Sequence, residues 1–219
     1  MSNLVIAVDG PAGAGKSTIA KLIASKLNII YIDTGAMYRA LTYKLINENI
    51  DLKDISKIID VLKDTEIDFK NNHIYLDGKI VDDKIRTNDI SNNVSIVARI
   101  KEVREKLVNI QRKISKNNDV IMDGRDIASH VLPDANLKFY INATPKERGK
   151  RRYEEIIKRD PSVSLSDIIQ EVKVRDEIDS TREISPLIKT KDAIEIDTTD
   201  KSIEEVVQVL LDYIKDNIN

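Results

Sequence analysis

An apolar run without alternation, Leu4-Val5-Ile6-Ala7-Val8, ends at Asp9 and gives way to Gly10-Pro11-Ala12-Gly13-Ala14-Gly15-Lys16-Ser17. After it Ile19, Leu22, Ile23 and Leu27 return at helical spacing. The first run suits a parallel strand buried on both faces. Strand, glycine-rich bend and helix start therefore follow one another within thirty residues, which commits the chain to an α/β class from its first element. The bend fits G-x-x-x-x-G-K-[ST] in the setting that pattern needs. Its glycines let the backbone wrap a phosphate and aim several N–H groups at it, and the helix N-terminus adds partial positive charge. Gly10, Pro11, Ala12, Gly13, Ala14, Gly15, Lys16, Ser17 and Thr18 are thus the expected triphosphate-binding residues, with Lys16 on the β/γ oxygens and the Ser17 hydroxyl on Mg²⁺.

The rest of the chain repeats the alternation. Ile29–Ile32, Val120-Ile121-Met122 and Leu137–Ile141 read as further buried strands, with Ala193–Ile196 a weaker one, and helical patterns lie between them. A mostly parallel sheet with helices on both faces is the expected fold. Thr144-Pro145-Lys146-Glu147 and Ser202-Ile203-Glu204-Glu205 are capping boxes that open two helices. Short β-like pieces at Ile67–Phe69, His73–Leu76 and Lys79–Val81, joined by Asn71-Asn72 and Asp77-Gly78 bends, interrupt the alternation. They define a small antiparallel insert at about residues 55–95 of a single domain spanning 1–219. Ile96, Ile100, Val103, Leu107, Ile110 and Ile114 form a long seam assigned to the core.

Composition removes several classes of function. With 35 basic and 37 acidic residues the net charge is −2, so no excess of positive charge calls for nucleic acid or an anionic membrane. Cysteine and tryptophan are absent, which excludes disulfides, thiolate metal sites and a thiol nucleophile. No apolar run approaches the ~20 residues of a membrane span, and Met1-Ser2-Asn3 leads straight into a strand, so a soluble, cytoplasmic protein is expected. His73 and His130 share no metal-ligand spacing and receive no role.

The phosphate loop alone does not name a reaction. Neither an Asn-Lys-x-Asp guanine reader nor an Asp-x-x-Gly switch occurs, which argues against a GTPase. Asp33-Thr34-Gly35-Ala36-Met37-Tyr38-Arg39 and Asp123-Gly124-Arg125-Asp126 both follow strands, at the sheet edge where open α/β folds bind ligands. Asp123 is either a carboxylate that orients Mg²⁺ or an ordinary turn acid. On a helical wheel Ile168, Val172, Arg175, Asp179 and Arg182 form one stripe, which faces a cleft at its charged end or leaves the core as a solvated pair. Arg148, Arg151 and Arg152, with Arg159 beyond them, form a cationic face at about residues 145–165: a lid closing on triphosphate, or a solvated helix balanced by Glu147, Glu154 and Glu155. Arginine grips phosphate with two prongs where lysine offers a point charge, so these positions matter more than the 23 lysines. An ATP-driven regulatory protein and a kinase with another acceptor are the competing readings.

Taken in order, the phosphate loop with Asp9 before it, Thr34-Gly35-Ala36-Met37-Tyr38-Arg39, Asp123-Gly124-Arg125-Asp126, Arg175 to Arg182 and Pro186-Leu187 resemble the bacterial cytidylate kinases over essentially the whole chain. The resemblance implies a P-loop three-layer fold with five parallel strands, a lid and an enlarged monophosphate-binding lobe. It implies transfer from ATP to CMP or dCMP, with Mg²⁺, in a monomer whose partners are small nucleotides. Carried over by position, Thr34, Arg104, Asp126 and Arg182 surround the cytosine, Ser95, Arg175 and Asp179 meet the sugar, and Tyr38, Arg39 and Arg125 lie around the acceptor phosphate. Lys16, Arg125, Arg148 and Arg152 are the expected catalytic cations, and Ser17 and Asp123 the expected metal-side groups.

Overall fold

The computed structural model describes residues 3–70, 72–158 and 160–217. Its first elements are strand β1 (Val5–Asp9), helix α1 (Lys16–Leu27), β2 (Ile30–Asp33), α2 (Thr34–Asn47), α3 (Ile55–Lys63), β3 (Ile67–Lys70), β4 (His73–Leu76) and β5 (Lys79–Ile80). Then come α4 (Asn88–Val97), α5 (Lys101–Ser115), β6 (Val120–Asp123), a π turn (Ile127–Val131), β7 (Leu137–Asn142), α6 (Pro145–Ile156), α7 (Leu165–Thr181), β8 (Ile194–Asp197) and α8 (Ile203–Asn217). Residue contacts divide these into two compact units, 1–31 with 119–219, and 32–118.

The large sheet has the order β2-β6-β1-β7-β8. β1 pairs in parallel with β6 (Val5 opposite Val120) and with β7 (Ile6 opposite Leu137), and β7 pairs in parallel with β8. β6 is buried throughout and β1 nearly so, as strands without alternation must be when both faces are covered. β8 lies at the edge and is half exposed, which explains its weak signal in the sequence. Ile6, Ile23, Phe139, Val207 and Leu210 share one core cluster beneath α1 and α8. Each such side chain fully removed from water contributes about 1.5–3 kcal/mol. The Ser202 box forms in full, the Ser202 and Glu205 side chains each accepting from the other's N–H, whereas at Thr144 only the hydroxyl half forms: Thr144 Oγ1 accepts from Glu147 N–H, and the Thr144 N–H donates instead to Thr199 Oγ1. The α6 and α7 helices approach so closely that a Cβ on Gly149 would sit 2.4 Å from Ile169 Cγ1. Arg159 falls outside the described residues.

The second unit carries the antiparallel sheet β3-β4-β5. Asp77 and Gly78 both have positive φ, the type I′ geometry that the Asp-Gly pair favours in a two-residue hairpin. Asn71, of the other expected bend, lies outside the described residues. This unit extends beyond the 55–95 segment suggested by the β-like pieces, because α2 packs on α3, α4, α5 and strands β3 and β4. The apolar seam is divided between α4 and α5 by the non-helical Ile100. Val103 and Leu107 are buried, whereas Ile96, Ile110 and Ile114 are half-buried. Among the described residues no helix is long and apolar enough to cross a membrane.

Candidate active site

The phosphate loop bends as its glycines allow. Gly10 takes φ 144°, Gly13 76° and Gly15 89°, a region that L side chains avoid. A Cβ on Gly10 would fall 1.9 Å from the Ile141 carbonyl oxygen, so residue 10 tolerates no side chain. Three loop carbonyls accept from side chains: Lys16 Nζ donates to Pro11 O at 2.7 Å, Arg148 Nη1 to Ala12 O at 3.0 Å and Thr198 Oγ1 to Ala14 O at 3.2 Å. Burial holds the Lys16 ammonium well below its usual pKa, and Arg125 adds repulsion against the pull of Asp123 and Asp9. Ser17 Oγ donates to Asp123 Oδ2 at 2.8 Å, and Tyr31 donates to the other carboxylate oxygen at 2.8 Å. The acid at the end of β6 therefore meets the first turn of α1.

Beyond Asp123 the same unit brings together most of its remaining predicted residues. Arg125 Nε donates to Asp179 at 2.9 Å, and Arg182 Nη2 donates to Asp126 at 3.2 Å, with Asp126, Asp179 and Arg182 all buried. Burial alone pushes the Asp179 carboxyl up, but the guanidinium groups of Arg125 and Arg175 outweigh it and hold it below the usual carboxylate range. The charged stripe of α7 thus faces inward through Ile168, Val172 and Asp179. Arg182 departs from the wheel: it is the C-cap, with extended backbone, and reaches Asp126 from there while its Nε donates to Ser185 O at 2.6 Å.

The expected cationic face on α6 does not form as one surface. Arg148 is 2% exposed. Its guanidinium donates to Ala143 O, to Ala12 O and, through both Nη atoms, to the Asp176 carboxylate. Arg148 thereby fastens α6 and α7 to the phosphate loop, since a buried guanidinium must satisfy its donors within the protein. Arg151 turns to Glu147 and to the Thr198 hydroxyl and carbonyl. Arg152, half-buried, makes no ion pair with a described residue.

In the 32–118 unit Thr34, Tyr38, Ser95 and Arg104 are buried polar residues. Asp33 caps α2 by accepting from Ala36 N–H and receives Arg39 at 2.7 Å and Arg86 at 3.0 Å. Burial works against the Asp33 charge, but these two arginines and the cap hold its pKa below the usual value. The Arg104 guanidinium lies 5.7 Å from the Tyr38 ring centroid and donates to Ala98 O at 3.3 Å.

A strand-anchored phosphate loop beside a carboxylate, followed by paired arginines and acids, defines a phosphoryl-transfer site. The family model for cytidylate kinase matches residues 6–216. The chain belongs to the cytidylate kinase family. It is 57% identical over 214 residues to the cytidylate kinase of Clostridioides difficile (strain 630), covering 98% of this chain and 99% of that one. It is 48% identical over 216 residues to the cytidylate kinase of Bacillus subtilis (strain 168), covering 97% and 96%. Among solved structures, an uncharacterized protein from Eubacterium ventriosum ATCC 27560 shares the fold, with a TM-score of 0.53 at 15% identity over 98% of this chain and 99% of that one.

Several residues that organise this cytidylate kinase site received no role from the sequence: Tyr31 on Asp123, Asp176 on Arg148, Thr198 behind the loop, and Asp9, quoted only as the residue before the loop. Tyr31 had a signal, since it lies in the strand that precedes a recognised motif. Thr198 and Asp176 had none, because their contacts join segments far apart in the chain.

Proposed function

We propose that this protein transfers the γ-phosphoryl group of ATP to CMP and dCMP, giving ADP and CDP or dCDP. The observation that carries the reading is the buried ion pair between Asp126, on the turn that leaves β6, and Arg182, at the end of α7. A carboxylate that accepts beside a guanidinium that donates complements cytosine, which presents an N4 amine beside the N3 and O2 acceptors. Uracil carries an oxygen where that amine stands, so it would set an acceptor against the carboxylate in place of a donor, at about 1–3 kcal/mol.

In this reading the loop N–H groups and Lys16 hold the β- and γ-phosphates. The acceptor phosphate needs no general base, because with a second pKa near ~6 its oxygen is already largely ionised at neutral pH. That oxygen attacks the γ-phosphorus as the bond to the β–γ bridging oxygen breaks, and ADP leaves with the electron pair. Arg125, oriented by Asp179, and Arg152 neutralise charge that spreads onto the transferring oxygens. Arg148 acts by holding the loop. By the family resemblance Arg175, Asp179 and Ser95 are assigned to the sugar, Thr34 and Arg104 to the base, and Tyr38 and Arg39 to the acceptor phosphate. The Ser17 hydroxyl and the Asp123 carboxylate, 2.8 Å apart, are hard oxygen donors that fit Mg²⁺. When bound, Mg²⁺ would offset charge on the phosphate oxygens.

The test is ADP formation from ATP with CMP, dCMP, UMP, AMP, GMP and dTMP supplied singly, with products separated by chromatography. Rapid transfer confined mainly to CMP and dCMP is expected. A best acceptor outside the cytidine nucleotides overturns the base assignment, and turnover indifferent to all six overturns the kinase reading.

A further inference from the structure

Asp9 ends β1 and stands directly before the phosphate loop, yet its carboxylate turns away to a different segment. One oxygen accepts from Ile127 N–H at 2.8 Å and the other from Ala128 N–H at 2.7 Å. Asp9 is 1% exposed, so water does not compete for these bonds. Ile127 and Ala128 open the π turn, and N–H groups at the start of a helical turn have no partner inside it. The rest of the turn closes on Asp126 O, which accepts from His130 and Val131 N–H, while Gly124 N–H donates to Val8 O upstream. Asp126 therefore sits between two points of attachment, both at the end of β1. Its own backbone, at φ −145° and ψ 28°, is neither helical nor extended, so no regular ladder fixes it.

We propose that Asp9 is a positioning residue for acceptor recognition: by holding the two leading N–H groups of the π turn it fixes the direction in which Asp126 meets the base. The inference rests on the reading of Asp126 given above. Only a carboxylate at this place offers one acceptor oxygen to each N–H. Burial opposes its charge strongly enough to push the carboxyl up to about 7, so a purely apolar packing role would be served better by an uncharged residue.

The experiment uses Asp9→Asn, Asp126→Asn and the double variant, measuring kcat/KM for CMP and for UMP, the KM for ATP, and Tm. The ratio between the two acceptors isolates the base contact, because losses at the shared acceptor phosphate cancel. In Asp9→Asn one N–H keeps its acceptor and the other meets an amide NH₂, and the CMP-over-UMP ratio is expected to fall about tenfold. The ATP KM should change less than the acceptor ratio, since the Asp9 carboxylate bonds to the turn and reaches the loop only through its charge on Lys16. In the Asp126→Asn background, Asp9→Asn should leave the ratio unchanged. An intact ratio in Asp9→Asn overturns the proposal, and so does an equal fall in both backgrounds. An intact ratio in Asp126→Asn instead overturns the base reading on which the proposal stands. If Asp9→Asn does not fold, Asp9→Ser, too short to reach both N–H groups, is measured in its place with the same outcomes expected.

Discussion

The bends that leave β1 and β6, neighbouring strands of one sheet, are built by opposite means. The phosphate loop takes its path from residue types: three of its residues have positive φ and all three are glycine. The bend after β6 contains no positive-φ residue, and its π turn is fastened by an acid 118 and 119 residues away. A shape encoded by backbone permissiveness can be read from a short string. A shape encoded by a distant acceptor cannot, even though the residues that use it, Arg125 and Asp126, are recognisable.

The contrast can be broken most severely at Gly10. Gly10→Ala puts a Cβ against the Ile141 carbonyl oxygen, and a loss on the order of 3 kcal/mol or more is expected, read as a large fall in Tm with loss of ATP-dependent turnover. A variant that keeps its Tm would show that the loop's path is not dictated by this glycine.

The other bend is sharpened by pH. Asp9 titrates near 7 in the folded protein against 3.8 for a free carboxyl, so between those values the native state holds the extra proton. The stability this contributes is fully present below 3.8 and is lost as pH rises through about 7. Asp9→Asn lacks that slope. The Tm of the parent minus that of the variant should therefore fall steadily from about pH 4 to about pH 7 in calorimetric scans. A flat difference would mean that Asp9 is ionised throughout. The smallest effect is expected for Tyr31→Phe, which removes one donor to Asp123 and should cost about 1 kcal/mol or less, read in Tm or in kcat/KM for ATP.

The same division runs through the rest of the molecule. The parallel strands, the Asp77-Gly78 hairpin and the helix caps at Thr144 and Ser202 were legible, because each is specified within a few residues. The α7 stripe was legible as far as Asp179; it failed at Arg182, where the helix ends and the side chain arrives from an extended residue. Arg148 misled because its spacing from Arg151 and Arg152 suggests one exposed face, while its burial is decided by Asp176 on another helix. The 32–118 unit exceeded its sequence estimate for a similar reason, since α2 joins it by packing and not by any local signal.

The most direct measurement is a crystal structure with CMP bound. The cytosine N4 amine is expected within about 3 Å of the Asp126 carboxylate, with the acceptor phosphate against Arg125. A base bound elsewhere, with Asp126 still engaged only by protein groups, would contradict that placement.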